Sequence, residues 1–390
     1  METKKIIKRQ LFELILKHSF KEKAVIILGP RQAGKTTLLF EIARSFDKPY
    51  IFLNCDEPDT RDLLFNATSD KLKAIIGKNV IVIIDEAQRV KNIGLTIKLM
   101  VDNIKNIQII ASGSSAFELS NEINEPLTGR KYEFRLLPFS TEELISEFGI
   151  LKEKRLLEHR LIYGMYPDII NTEGQGLEKE NLRNLSDSYL YKDIFTFNEI
   201  RRPETVFKLL ESLALQVCSE VSYNELSRQV GADKITVQRY IDLLEKSFVI
   251  FRLRSFSRNL RNELKKSTKI YFWDNGIRNA VINDFSVLNL RQDKGKLWEN
   301  FIVSERIKSN LNKNRWVKSY FWRTLQKQEI DYIEEENGKI NGYEFKWNAE
   351  AKRTTPSAFQ EAYRSVVSVV NPENYIEFLT EKGTAPFNAK

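Results

Sequence analysis

Cysteine and histidine are scarce in this chain, which contains two of each among 390 residues. The two cysteines, Cys55 and Cys218, exclude the disulfide framework of small secreted domains and fit a reducing compartment. Two histidines, His18 and His159, argue against a histidine-rich metal site and against a Ser-His-Asp triad. Both are most simply interpreted as surface or helix residues.

Long apolar runs are also absent. No run approaches the roughly 18 residues that a membrane span requires. The N-terminal stretch METKKIIKRQLFELILKHSF is basic, but it lacks the apolar core and the small-residue cleavage site of a signal peptide. These absences predict a cytoplasmic protein that does not engage a membrane.

The length and charge of the chain allow several domains and an anionic partner. The chain is long enough for two or three domains, and a hydrophobic content of 42% is ordinary for a protein with a buried core. The net charge of +8 suits a partner such as nucleic acid. The same charge is equally compatible with a basic protein that has no such partner.

Residues 29–37 read GPRQAGKTT and fit the phosphate-loop pattern G-x-x-x-x-G-K-[ST]. An apolar run precedes the loop and a helical pattern follows it, which is the context that the motif requires. Backbone N–H groups and the positive end of the helix dipole bind phosphates in such a loop. We expect Lys35 to reach the β- and γ-phosphates and Thr36 to bind Mg²⁺. The residues expected to bind ATP are Gly29, Pro30, Arg31, Gln32, Ala33, Gly34, Lys35, Thr36 and Thr37.

An all-apolar strand that ends in two acids, VIVIIDE at residues 80–86, supplies the second half of a nucleotide site. We expect Asp85 to bind the Mg²⁺, directly or through water. Glu86 is the expected base that orients the attacking water. Together the two motifs predict ATP as the ligand and Mg²⁺ as the cofactor.

Two further groups are candidates for the same site. A polar residue that ends the strand after the acidic one can bond the γ-phosphate or the attacking water, and Ser112 is the first choice there, ahead of Ser114. Arg130 either senses the γ-phosphate or acts as an arginine finger across the boundary of a homo-oligomer. For the two serines, the alternative is a loop made of small residues. For Arg130, it is an ordinary surface ion pair.

Short apolar runs alternate with helical stretches in the first 150 residues, which predicts an α/β fold with a parallel sheet covered by helices on both faces. The expected strands are Ala24–Leu28, Tyr50–Asn54, Val80–Ile84, Ile107–Ala111 and Tyr132–Leu136. Four domains are expected along the chain: a P-loop ATPase domain (1–140), a helical connector (141–203), a winged helix-turn-helix (204–260) and a C-terminal α/β domain (261–390).

A helix-turn-helix pattern supports the third of these domains. Ser222 and Glu225 form a capping box, and Gly231 occupies the place of a C′ glycine. A second helix from about Asp233 to Ser247 is followed by a strand, Val249–Arg254, as the wing of a winged helix would be. The exposed residues of that second helix that are suited to DNA contact are Lys234, Thr236, Gln238 and Arg239. Asp242 and Glu245 on the same helix oppose such contact.

A basic stripe at residues 252–269 extends the candidate DNA surface. Phe251 and Phe256 alternate with its cations, a composition typical of contact with a nucleic-acid backbone. A solvated basic linker is the alternative. The cations are Arg252, Arg254, Arg258, Arg261, Lys265, Lys266 and Lys269, against the single acid Glu263.

Acids near the C-terminus suggest a second metal site. If Asn337-Gly338 is a two-residue hairpin turn, Asp331 faces Glu344 across the two strands. Opposed carboxylates destabilise a sheet, and a divalent cation between them would reverse that effect. A turn at Asn341-Gly342 or a longer loop would break the pairing.

Two more residues complete this candidate site. Glu299 lies on the apolar stripe of a predicted helix, and Lys346 shares the sheet face of Glu344. With Asp331, the set resembles the PD-(D/E)XK nuclease pattern, in which acids hold Mg²⁺ or Mn²⁺ and the lysine helps to position water. A nuclease-like fold without activity is the alternative.

The order of several short tracts resembles a family of prokaryotic ATPases of the AAA superfamily, close to the archaeal-ATPase-like clade. Its members carry an N-terminal ATPase domain and a C-terminal domain with a restriction-nuclease-like fold. The resemblance implies the strand order of the additional-strand P-loop ATPases, a winged helix between the two domains, and Ser112 or Ser114 in the sensor position. The tracts are GPRQAGKTTLL, IIDEAQ, ASGSS, LTGR followed by LLPFS, YLYKDI, LWENFIVSE, and YFWRTLQKQEIDYI with YEFKW.

We therefore expect an ATPase that couples its nucleotide state to a C-terminal half that interacts with nucleic acid. A DNase gated by ATP is one alternative. The other is a nucleotide switch whose C-terminal half binds a protein partner without catalysis.

Overall fold

A computed structural model of the chain describes residues 6–114, 126–194, 202–257, 267–324, 328–350 and 356–380. The chain divides into two compact units, the first comprising the described residues up to Pro138 and the second most of those from Phe139 onward. The four-domain division expected from the sequence stays a prediction. Within the described ranges, no helix combines the length and the apolarity that a membrane crossing demands.

A five-stranded parallel sheet forms the centre of the first unit, in the order β2-β3-β4-β1-β5. All five strands lie within one residue of their predicted starts, and the order expected of the additional-strand P-loop ATPases is confirmed. The strands are β1 (Ala24–Leu28), β2 (Tyr50–Asn54), β3 (Ile81–Asp85), β4 (Gln108–Gly113) and β5 (Lys131–Arg135). The helices are α1 (Leu11–His18), α2 (Lys35–Ser45), α3 (Pro58–Leu64), α4 (Ser69–Ile76) and α5 (Ile93–Asn103).

The apolar runs of these strands explain why helices cover both faces of the sheet. Every residue of β1 and β3 is buried, and alternate residues point to opposite faces. Val25 and Ile27 pack with Leu11 of α1 and Leu38 of α2 on one face. Helix α5 contacts β4, so that the remaining strand residues are covered as well.

The second unit is built on a six-stranded mixed sheet in the order β11-β10-β9-β8-β6-β7. The long helix Lys294–Asn312 is buried along most of its length. The strands are β6 (Ile250–Ser255), β7 (Thr268–Phe272), β8 (Lys318–Arg323), β9 (Glu329–Glu336), β10 (Lys339–Phe345) and β11 (Val367–Val370). The helices from Thr141 onward are α6 (Thr141–Phe148), α7 (Ile150–Arg155), α8 (Leu157–Tyr163), α9 (Pro167–Asn171), α10 (Glu178–Ile194), α11 (Pro203–Leu215), α12 (Tyr223–Val230), α13 (Lys234–Lys246), α14 (Asn275–Val281), α15 (Lys294–Asn312), α16 (Ser357–Tyr363) and α17 (Tyr375–Thr380).

Helices α11 to α13 are followed along the chain by β6 and β7, and the winged helix expected there stays a prediction. Ser222 caps α12 by accepting a hydrogen bond from the backbone N–H of Glu225, which is one of the two bonds of the predicted capping box. Gly231 ends the helix in the left-handed conformation, as predicted. Strand β6 pairs antiparallel with β7 and also in parallel with β8. The strand that was expected to form a separate wing is therefore continuous with the C-terminal sheet.

The hairpin of β9 and β10 has the register predicted from Asn337-Gly338. Both turn residues have positive φ, at 51° and 79°, as a type I′ turn requires. The ladder runs from the pair Glu336 and Lys339 to the pair Tyr332 and Tyr343. The alternative turn at Asn341-Gly342 is wrong, since both residues lie in β10 and pair with residues of β9.

Candidate functional site

The loop that joins β1 to α2 has the backbone shape of an anion-binding nest. Gln32 and Gly34 have positive φ, at 57° and 93°, and lie just before α2 begins at Lys35. Gly29 has no room for a side chain, because an added Cβ would lie 2.0 Å from the carbonyl oxygen of Leu136. The close approach of the segment after β5 therefore requires glycine at the start of the loop.

Lys35 is the first residue of α2 and its side chain is buried. Its Nζ donates hydrogen bonds to the carbonyl oxygens of Gly29, at 3.0 Å, and Pro30, at 2.9 Å. Both acceptors belong to the loop itself. The ammonium is thus held by the loop. A bound phosphate would offer it charged oxygen acceptors in place of these neutral carbonyl oxygens.

Thr36 and Asp85 come together at the end of the sheet where β1 and β3 terminate. The Thr36 hydroxyl donates to Asp85 Oδ2 at 2.7 Å, and Asp85 is buried. A hydroxyl and a carboxylate are hard oxygen ligands of the kind that Mg²⁺ prefers beside phosphates. The two residues predicted to hold Mg²⁺ therefore fit that ion.

Ser112 of β4 joins the same cluster, since β4 lies between β1 and β3 in the sheet. Its hydroxyl donates to Asp85 Oδ1 and accepts a hydrogen bond from the backbone N–H of Glu86 at 3.3 Å. The same N–H lies 3.1 Å from Asp85 Oδ1. Glu86 has φ of 52°, in the left-handed region, and these bonds hold it there.

Gln88 is a residue of this site to which the sequence assigned no role. Its side-chain Nε2 donates to Glu86 Oε2 at 2.5 Å and to Ser114 Oγ at 3.0 Å. Its Oε1 accepts from the backbone N–H of Ser114 at 3.3 Å. The only sequence signal was its place in the tract IIDEAQ, directly after the two acids. Gln88 connects the expected base to the second candidate sensor.

Arg9 is a second residue that the sequence did not single out. It is buried, and its guanidinium donates to the carbonyl oxygens of Ala33, at 3.0 Å, and Leu137, at 2.6 Å. These partners lie 24 and 128 positions away, so no local pattern reveals them. Arg9 ties the phosphate loop to the segment that follows β5.

Arg130 lies away from this site. It precedes β5 and forms an ion pair with Asp102 at 2.7 Å, and its carbonyl oxygen accepts from the N–H of Ala24 at the start of β1. Strand β1 separates that position from the phosphate loop by about 13 Å. This position does not favour sensing of the γ-phosphate within the chain, and both roles of Arg130 stay predictions. The arginine that the register places beside the end of β1 is Arg135.

The C-terminal acids are close together, but each has a protein partner. Asp331 Oδ2 accepts from the N–H of Phe345 at 2.8 Å, and Glu344 forms an ion pair with Lys346 at 3.4 Å. Burial raises the pKa of Asp331, and it also raises the pKa of Glu344 despite the ammonium of Lys346. The repulsion that suggested a metal is thus relieved by a backbone donor, a cation and a shift toward the protonated form.

Glu299 of α15 is engaged in a different way, by two residues of β7. It accepts from the Tyr271 hydroxyl at 2.7 Å and pairs with Lys269 at 3.2 Å. Lys269 is only 3% exposed and also pairs with Glu329 at 2.5 Å. In the part of the chain that the structure describes, no three Asp, Glu, His or Cys side chains are arranged to hold a metal ion. The side chains as placed do not fit the second metal site.

Comparison with known proteins supports the reading of the first unit. Residues 21–145 match an AAA domain. Residues 154–290 and 294–386 match two domains of unknown function, DUF8612 and DUF4143. The match to the AAA domain agrees with the strand order and the phosphate loop, so the first unit is an AAA-type P-loop domain, a type that binds nucleoside triphosphates.

Two relatives that match most of the chain are uncharacterized proteins. One from Mycobacterium tuberculosis is 26% identical over 356 residues, which cover 88% of this chain and 73% of the relative. Another from Methanocaldococcus jannaschii is 24% identical over 366 residues, covering 88% of this chain and 79% of the relative.

Two solved structures show partial similarity to this chain. The Aeropyrum pernix Orc1 protein in complex with DNA is 11% identical, with a TM-score of 0.34 over 72% of this chain and 94% of that chain. The Pyrobaculum aerophilum Cdc6p is 12% identical, with a TM-score of 0.30 over 70% of this chain and 91% of that chain.

Beyond the AAA domain, the candidate nucleic-acid surface is the exposed side of α13. Asp242 and Glu245, the acids expected to oppose DNA, are both paired with Arg252 of β6, the former at 2.7 Å. Arg252 therefore compensates one of these two negative charges. Lys234, Gln238 and Arg239 are exposed and Thr236 is half-buried.

The basic stripe differs from its prediction. Arg252 and Lys269 are engaged by acids, and Phe251 and Phe256 are buried in the core, so that these aromatic rings are not available to stack on bases. Arg254 is exposed. Arg258, Arg261, Glu263, Lys265 and Lys266 lie outside the described residues.

Proposed function

We propose that the AAA domain hydrolyses ATP with Mg²⁺ and that its nucleotide state controls nucleic-acid binding by the C-terminal half. The convergence of three side chains and the backbone N–H of Glu86 at the carboxyl ends of three adjacent strands supports the first part. Thr36, Asp85, Ser112 and Glu86 are linked by hydrogen bonds at the mouth of the phosphate loop. In P-loop enzymes such a site positions phosphates and orients water.

Each residue has a distinct role in this proposal. Lys35 binds the β- and γ-phosphates, and Thr36 and Asp85 hold Mg²⁺, which when bound neutralises charge on the phosphates. Glu86 orients the water that attacks the γ-phosphorus. Ser112 keeps Asp85 and the backbone of Glu86 in place, and Gln88 holds the carboxylate of Glu86.

The first test compares two variants of the full chain. Glu86→Gln should bind ATP with an unchanged dissociation constant and lose about 10²- to 10⁴-fold in turnover, the contribution of a general base. Lys35→Ala should lose ATP binding itself. Binding is measured with a fluorescent ATP analogue and turnover by phosphate release.

Glu57→Gln is the matched control, since Glu57 is an exposed acid of the same domain outside the site. It should behave as the wild type. Turnover by Glu86→Gln at the wild-type rate would remove the assigned role of Glu86.

Nucleic-acid binding by the C-terminal half rests on α13. The ion pairs of Arg252 with Asp242 and Glu245 compensate one of the two negative charges and so reduce the repulsion of DNA. Lys234 and Arg239 remain exposed on the same helix. Fluorescence anisotropy with labelled single- and double-stranded DNA at two salt concentrations tests this part. Affinity should fall steeply with salt, because phosphate contacts release counterions.

A further inference from the structure

A cleft of about 700 Å³ opens between the beginning of α11, the end of α12 and the first turns of α13. Ten residues line it, and three of these are arginines: Arg202, Arg228 and Arg239. All three are exposed. Thr205, Ser227 and Thr236 also line it, and the hydroxyls of Ser227 and Thr236 already donate within the protein, to Asn224 O at 2.9 Å and to Asp233 Oδ2 at 2.7 Å. The cleft therefore offers guanidinium donors from three helices.

The single acid of the lining does not cancel this charge. Asp233 accepts a hydrogen bond from the backbone N–H of Thr236 at 2.9 Å and from its hydroxyl at 2.7 Å, so that it caps α13. These bonds lower the pKa of Asp233, which stays ionised as part of the helix end. Three arginines against one capping carboxylate leave the cleft net positive.

The lining also indicates what part of a ligand would enter. Guanidinium groups match phosphate oxygens in a fork geometry. Tyr240 is the only aromatic residue of the lining and is 2% exposed, so that no ring face is open for a base to stack on. The cleft thus suits a sugar-phosphate backbone better than a base.

The turn beside the cleft leaves space for such a backbone. Among the described residues, a Cβ added to Gly231 in the turn between α12 and α13 would meet no atom within 4 Å. Ile235, in the first turn of α13, is 80% exposed. An apolar group in that place can contact the methyl group of a thymine when a strand lies alongside.

We propose that this cleft binds a phosphodiester segment of a nucleic-acid strand and fixes its position against α13. The inference rests on the proposed nucleic-acid interaction and adds the place where the backbone is held. Arg228 from the end of α12 and Arg239 from α13 bind the phosphates. Arg202 at the start of α11 is the third cation of the cleft.

The experiment measures DNA affinity of the full-length protein over a range of salt concentrations. The variants are Arg228→Ala, Arg239→Ala and their double. The control is Lys208→Ala, which removes an exposed cation of α11 outside the cleft. The probe is a labelled single-stranded oligonucleotide in an anisotropy assay, with unlabelled dAMP as a competitor.

Each arginine should contribute about tenfold in affinity, as expected for a charged hydrogen bond. The slope of log affinity against log salt should become shallower by about 0.7 for each lost phosphate contact on a single strand. Lys208→Ala should change neither quantity. Because all four variants concern exposed side chains, their melting temperatures should match that of the wild type.

Three results would overturn the assignment of the cleft. If the wild type binds DNA and the double variant keeps its affinity and slope, the cleft is not the site, while the wider nucleic-acid function stands. If the wild type shows no salt-dependent binding, the proposed nucleic-acid function fails as well. If dAMP binds through the same arginines and DNA does not, the ligand is a free nucleotide.

Discussion

Glu86 adopts a backbone conformation that a residue with a side chain reaches only at the expense of about 1–3 kcal/mol. Two acceptors, Asp85 Oδ1 and Ser112 Oγ, hold its N–H in that geometry. Such strain is found at functional sites, where the surrounding structure enforces it. In the proposed mechanism, this backbone conformation directs the carboxylate of Glu86 toward Gln88.

Gln88 should act as a positioning residue for the base. Gln88→Ala should lower kcat by about tenfold, a part of the 10²–10⁴ that a positioned base supplies. The KM for ATP should stay unchanged, because Gln88 contacts Glu86 and Ser114 rather than the phosphate loop. Steady-state phosphate release over a range of ATP concentrations separates the two constants.

The variant Gln88→Glu gives a readout that loss of packing would not. It places a second carboxylate where an amide now lies 2.5 Å from Glu86 Oε2. Two carboxyls at that distance share a proton, and so the acid limb of the pH–rate profile should shift to higher pH. A profile identical to that of the wild type would show that Gln88 does not touch the working base.

At the scale of elements, Lys269 links three of them. Its ammonium pairs with Glu299 of α15 and Glu329 of β9 from a buried position on β7. Burial acts against the charge, but the acids around it outweigh this effect and raise the pKa of Lys269. Lysine thus supplies the positive charge that the sequence assigned to a divalent metal.

Glu299 gives this cluster a pH-dependent contribution to stability. Burial, reinforced by the nearby charge of Asp331, raises the pKa of Glu299 from 4.5 to about 7. The folded state therefore holds a proton that the unfolded chain releases. The contribution is fully present below pH 4.5 and is lost as the pH rises through about 7.

The variant Glu299→Gln should remove that dependence, because an amide does not titrate. Chemical denaturation of wild type and variant at pH 5 and pH 7.5 gives the free energies of unfolding. The variant should gain stability relative to the wild type as the pH rises. A difference between the two proteins that is the same at both pH values would contradict the shifted pKa of Glu299.

At the scale of the whole molecule, the proposal is a coupling between two binding events. If ATP changes the affinity for DNA by some factor, DNA must change the affinity for ATP by the same factor. Such couplings amount to about 5- to 150-fold. The Glu86→Gln variant allows both affinities to be measured at equilibrium, since ATP is not consumed.

The prediction is that the two factors agree within error and differ from one. DNA affinity is measured with and without ATP, and ATP affinity with and without DNA. Lys35→Ala is the control, because its DNA affinity should not respond to ATP. Equal DNA affinity with and without ATP would contradict the coupling. ATP and DNA would then bind to the same chain independently of each other.

Much of the first unit was predictable because its signals are local. The strands are unbroken apolar runs, and the phosphate loop and the pair Asp85-Glu86 are contiguous with them. The hairpin register followed from one dipeptide, since Asn337-Gly338 alone sets which residues of β9 and β10 are opposite. Short-range geometry leaves few alternatives in such segments.

The partners of charged side chains were not predictable in the same way. The sequence by itself determined the nucleotide loop, the acidic strand end, the strand order implied by family resemblance, and the C-terminal hairpin. Tertiary structure alone decided that Arg9 supports the loop, that Arg252 pairs with the acids of α13, and that Lys269 occupies the acidic cluster. The physical reason is that a buried charge takes whichever counter-charge or carbonyl oxygen packing brings within about 4 Å, however far away it lies along the chain.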